Sequence, residues 1–160
     1  MGKRAQMLAD QYEQANQELI GVVERCSEEQ WRAVCVDENW PAGVTAHHVG
    51  AMAGVCAQAL SVVARGEPWP SISMDMVHQG NARHALEHAK CTKNETVELL
   101  RRNCRAAATL VKGFDDEQLD RAWPALWREN APLSVAQCVE DHLIGHIHTH
   151  LSSIRAAIGS

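Results

Sequence analysis

Apolar residues recur along most of this chain at steps of three and four, the spacing that puts side chains on one face of an α-helix. Leu8, Tyr12, Ala15, Leu19, Val23 and Cys26 keep that spacing and predict a first helix from about Lys3 to Cys26. Ser27-Glu28-Glu29-Gln30-Trp31 begins a short turn or helix that breaks before Asn39. Trp40-Pro41 marks the start of a second helix: proline fits a first helical turn, and the residue before it avoids helical geometry. This helix runs from about Pro41 to Arg65 and stops at Gly66. Its apolar stripe is Val44, His48, Met52, Val55, Ala59 and Val62, and Gly66-Glu67-Pro68-Trp69-Pro70 is a loop. The third helix comes in two pieces. The first spans about Ser73 to Ala89. The second opens on the capping box Thr92-Lys93-Asn94-Glu95, carries Val97, Leu100, Cys104, Ala107, Ala108 and Val111, and stops at Gly113. Asp115 to Pro132 reads as an irregular connection rich in tryptophan and charge. A second capping box, Ser134-Val135-Ala136-Gln137, opens a fourth helix that continues almost to Ile158.

No period-two strand, internal repeat or domain-splitting linker stands out. Four long amphipathic segments in a single domain, residues 1–160, predict an all-α fold: a four-helix bundle with a broken third helix.

Composition narrows the function classes. The chain is 46% hydrophobic, enough for a full core at 160 residues. Its formal net charge of −5, without a basic cluster, argues against non-specific nucleic-acid binding. No apolar run is read as long enough to span a membrane, and the N-terminus leads straight into an amphipathic helix without a signal peptide, so the expected compartment is the cytoplasm. There the six cysteines, Cys26, Cys35, Cys56, Cys91, Cys104 and Cys138, are expected reduced and mostly buried, since no CxxC occurs. Cys56 and Cys104 fall on or near apolar stripes and read as small core residues.

The candidate chemistry lies in the last helix, where four of the nine histidines fall. His142, His146 and His150 are spaced by four, and each such step turns the helix by only about 40°. They form one stripe beside Val135, Val139, Leu143, Ile154 and Ala157, while His148 points nearly the opposite way, towards solvent. Imidazoles on a buried face need partners, and a divalent metal is one. His48, centred on the apolar stripe of the second helix, can join an i,i+4 pair from the fourth, either His142/His146 or His146/His150. His47 lies about 100° away, towards an edge. Three nitrogens leave coordination positions open, the arrangement of a catalytic rather than a structural site.

Two segments carry a family resemblance. Trp40-Pro41-Ala42-Gly43-Val44-Thr45-Ala46-His47-His48-Val49 resembles the W-[ST]-x-x-E-x-x-x-H-[LI] motif of DinB-like proteins, in which the metal-binding histidine follows the tryptophan by eight positions. His146-Ile147-His148-Thr149-His150-Leu151-Ser152-Ser153-Ile154 resembles the closing H-x-x-x-H-[LR]-x-Q-I motif. In the second of these, Ser153 replaces the usual glutamine. Asn81-Ala82-Arg83 is similar to an N-A-R stretch in the branch that includes mycothiol-dependent maleylpyruvate isomerase.

The resemblance implies a DinB/YfiT-like bundle that binds a divalent cation through His48, His146 and His150. Zinc or nickel comes first, with iron, manganese and copper as alternatives. It also implies a metal-dependent thiol S-transferase, isomerase or hydrolase acting on a low-molecular-weight thiol and a small electrophilic substrate. The competing reading is a non-catalytic metal- or ligand-binding bundle. A protein cysteine as nucleophile is disfavoured because none falls near either motif in the sequence. Asp75, His78 and Asn81 are candidates for the pocket mouth, and His142 for a place behind the ligands or at the core edge. His84 and His88 form another i,i+4 pair that reads as a solvated face, with adventitious metal as the minor reading. Trp40, Trp123 and Trp127 read as packing anchors. A di-iron carboxylate centre is excluded because it needs Glu-x-x-His on two helices. A homodimer is expected, since two-fold pairs are the commonest homo-oligomers.

Overall fold

The four long apolar stripes close on one another in the computed structural model, which describes residues 2–160. Helix α1 (Lys3–Arg25) buries Leu8, Tyr12, Ala15, Leu19 and Val23, and α5 (Lys93–Lys112) buries Val97, Leu100, Cys104, Ala107 and Val111. These are the predicted stripes, and the two helices pack together. The fourth rod runs without a break from α7 (Val135–Cys138) through a π-helical segment (Val139–Ile144) into α8 (Gly145–Ile158). Its core line is Val135, Val139, Leu143, Ile147, Leu151 and Ile154. The structure is all-α, as expected for a helical bundle, and α4 (Met74–Glu87) with α5 forms the broken third helix. Both predicted capping boxes form, at Thr92/Glu95 and Ser134/Gln137, and two more form at Ser27/Gln30 and Asp115/Gln118. The latter two start the short helices α2 (Glu28–Arg32) and α6 (Asp116–Asp120).

Three expectations change. The stripe on α3 (Ala42–Ala64) is displaced: Val55 is 48% exposed and Met52 half-buried, while Val49, Ala53, Leu60 and Val63 are buried. The helix is apolar nearly all round, so its period carried little information about which face α5 covers. By length and composition α3 is also the one described helix that could cross a membrane; here it packs within the bundle against α5 and α8. Finally, two antiparallel ribbons interrupt the helices. β1 (Val34–Cys35) pairs with β2 (Trp40–Pro41), and β3 (Ala122–Ala125) pairs with β4 (Ala131–Ser134) inside the segment read as irregular. Strands of two to four residues are too short to show a period.

At the start of α3, Gly43 sits against Trp31 of α2. A Cβ on Gly43 would lie 2.4 Å from Trp31 Cε2. Trp31 is 7% exposed and its indole N–H donates to the Cys91 carbonyl at 3.1 Å, so it has little room to retreat. Gly43→Ala is expected to cost about 1–3 kcal/mol through overpacking, lowering Tm by about 2–4 °C per kcal/mol at this chain length. Gly80→Ala, on exposed α4 with nothing within 4 Å of its Cβ, is the control and should be neutral or stabilising. Equal melting temperatures in a thermal scan of the two variants would contradict the tight contact.

Candidate metal centre

His48 stands in the second turn of α3, directly after the β1–β2 ribbon has folded Trp40 back over the helix start. It is 5% exposed, and the Trp40 ring meets it edge-on at 5.3 Å. His146 and His150 stand one turn apart on α8. The structure brings the three together: His146 Nε2 lies 3.2 Å from His48 Nε2 and 3.1 Å from His150 Nε2. Around a tetrahedral cation with metal–nitrogen bonds of about 2.0–2.1 Å, neighbouring nitrogens sit about 3.3 Å apart.

The donor chemistry fits a cation as well as the distances do. The second ring nitrogen of His150, Nδ1, lies 2.7 Å from Glu38 Oε1, so it carries the proton and donates it to the carboxylate. In neutral His150, Nε2 is then a lone pair. Three Nε2 atoms that converge on one point can share at most one or two protons, and lone pairs are left facing each other. A divalent cation accepts them all. Its charge also suits neutral imidazoles: burial, then the neighbouring rings, pushes His48 down to about 3 and His146 down to about 2.

Glu38 is the residue that sequence reasoning missed. It belongs to the turn Val36–Asn39 between β1 and β2, which Asn39 closes at φ 57°. Its side chain is only 9% exposed, and its other oxygen accepts from the Ser153 hydroxyl at 2.5 Å. Ser153, which replaces the family's glutamine, therefore grips the carboxylate that orients His150. Thr45 donates its hydroxyl to the Pro41 carbonyl at 3.3 Å, one turn back at the start of α3.

Other candidates are placed elsewhere. His142 leaves the stripe because the wider π winding precedes α8, and its Nε2 accepts from the Trp127 indole at 3.3 Å. Gly145 closes the π turn: its N–H bonds back to the Glu140 carbonyl, and a Cβ there would sit 3.1 Å from that oxygen. His148 is exposed, as its angle on the helix requires. Asp75 and His78 lie on the exposed side of α4, away from the histidines; Asn81 is half-buried on the face that carries His84 and His88. That pair is not a solvated face: both residues are half-buried and meet His47. Trp40 and Trp127 pack against histidines, but Trp123 is 38% exposed and anchors nothing comparable; Trp31 and Trp69 are the buried anchors.

All six cysteines are free. Cys35 is fully buried beside the Glu38 turn, facing Thr45 and Ser153, so one thiol does approach the site in space although none does in sequence. Burial raises it above its ordinary value and raises Cys56 and Cys104 to about 11, which keeps them protonated and poor nucleophiles at neutral pH.

The model of the DinB superfamily matches residues 11–154, a span that takes in both histidine motifs, all of α3 and α5, and most of α1 and of the last rod. No curated protein matches the sequence.

Proposed function

The chain belongs to the DinB superfamily, and from that premise we propose that His48, His146 and His150 hold one divalent transition cation for thiol chemistry. The reaction class is a metal-dependent thiol S-transferase, isomerase or hydrolase, with a low-molecular-weight thiol as cosubstrate and a small electrophile as substrate. The observation that carries this reading is the convergence of three Nε2 atoms, two of the separations at 3.1–3.2 Å, on a buried face with no carboxylate among them. An all-imidazole donor set suits zinc or nickel, then iron or copper, with manganese last because it favours oxygen ligands.

A cation held by His48, His146 and His150 would lower the pKa of a thiol or water bound to it. The rest of the chemistry belongs to the chain. Glu38 holds His150 in the tautomer that points its lone pair inward, and Ser153 fixes Glu38. Trp40 shields one side of His48 from water. The buried cysteines stay protonated, so the attacking sulfur comes from the cosubstrate.

The test is turnover. Metal-free protein is reconstituted with zinc or nickel and offered a panel of small thiols, glutathione and cysteine among them, with an electrophilic chloronitrobenzene. The expected result is conjugation that needs both metal and thiol and disappears in His146→Ala. Stoichiometric metal at the triad with no thiol-dependent turnover across the panel would leave a non-catalytic metal-binding bundle in its place.

A further inference from the structure

We propose that His47, His84 and His88 form a second site for a divalent transition cation, which ties α4 to α3 beside the first. The three residues come from two elements with no sequence motif in common. His47 is on α3; His84 is in the last turn of α4, and His88 caps its end. Each can offer one ring nitrogen such that all three lie within 4.8 Å of one another. His47 Nδ1 is 3.2 Å from His84 Nε2, again close to the roughly 3.3 Å between nitrogens on a tetrahedral cation. The His47 and His88 rings stack at 4.1 Å, and His84 and His88 lie 4.6 Å apart.

What these rings lack is a protein partner. Among the described residues, the His47–His84 contact is the one hydrogen bond that the three rings make. No carboxylate or carbonyl fixes a tautomer, so ring nitrogens remain free to turn towards a common ligand.

A second observation points the same way. Helix α4 has no fully buried residue. Its inward side is the half-buried line Val77, Asn81, His84, Ala85 and His88, which offers little apolar surface to hold fourteen residues in place. Three metal–nitrogen bonds across the α3–α4 contact supply what packing does not. The position matters for the first site too: His47 and His48 are neighbours, and the His84 ring lies 5.5 Å from the His48 ring. A cation at the second site holds the end of α4 against the wall of the first.

The inference does not rest on the proposed function, and one titration separates the two. Metal-free protein is titrated with zinc in competition with a chromophoric chelator, and amide hydrogen exchange of residues 74–87 is followed with and without zinc. The expected wild-type stoichiometry is two. His88→Ala and His84→Asn should each bind one, and His146→Ala should also bind one. Zinc should slow exchange in α4 in the wild type and in His146→Ala but not in His88→Ala. One equivalent in the wild type, lost in His146→Ala and kept in His88→Ala, overturns the second site and spares the first. Unchanged α4 exchange on adding zinc to His146→Ala overturns it as well. One equivalent lost in His88→Ala and kept in His146→Ala supports the second site and removes the first.

Discussion

His146→Ala is expected to weaken cation binding at the triad by more than a hundredfold. His146 Nε2 is the nitrogen in direct range of both others, at 3.2 and 3.1 Å, so its loss leaves two imidazoles from different helices with nothing between them. A structural zinc site with four ligands is worth about 10–16 kcal/mol. One ligand therefore contributes on the order of 3 kcal/mol, or about two orders of magnitude in affinity. His48→Ala and His150→Ala should fall in the same range. His142→Ala should bind like the wild type, because its ring is engaged with Trp127. Glu38→Gln keeps the shape but removes the charge that faces His150 Nδ1–H, and is expected to cost about 10–100-fold. The measurement is zinc competition against a chromophoric chelator in a His88→Ala background, so that only the triad is counted. Equal affinities for His146→Ala and His142→Ala would sink the assignment of these ligands.

Metal-free protein is expected to lose on the order of 5 kcal/mol of stability between pH 6.5 and 4.5. The sign follows from proton counts. An unfolded histidine takes up its proton near 6.5, whereas burial holds His48 down to about 3 and His146 down to about 2 in the fold. Below pH 6.5 the unfolded chain therefore binds more protons than the native one, and each such histidine costs about 1.4 kcal/mol per pH unit. Above pH 6.5 both states are neutral and the contribution is flat. Two histidines over two pH units give the figure above, comparable with the whole stability of a marginal domain. Urea unfolding of chelator-treated protein across this pH range checks it. A profile as flat below pH 6.5 as above it would mean that these rings protonate without unfolding. Bound cation should steepen the loss, since protons then compete with metal for the same lone pairs.

The chain by itself determined what depends on local spacing. The stripes of α1 and α5 were legible because each helix has one apolar face and one polar face, so a period of three and four has a single reading. The caps at Thr92 and Ser134 were legible because the capping box is a four-residue pattern. His48, His146 and His150 could be named because two segments resemble the motifs of DinB-like proteins; spacing alone left His142/His146 and His146/His150 both open.

Tertiary structure alone decided the rest, for reasons that differ from residue to residue. On α3 the apolar residues go nearly all round, and only the seating of α5 settles that Val49 and Ala53 are buried while Val55 is exposed. His142 shares its spacing with His146, but the π winding before Gly145 turns it towards Trp127, and no i,i+4 count contains that turn. Glu38 reaches His150 across 112 positions, from a turn whose ribbon is too short to predict. His47, read as lying towards an edge, meets His84 across 37, and so brings in a pair read as a solvated face. Periodicity reports which side of an element faces inward, whereas contacts between elements depend on how the helices are seated, and that is set by the packing of all of them at once.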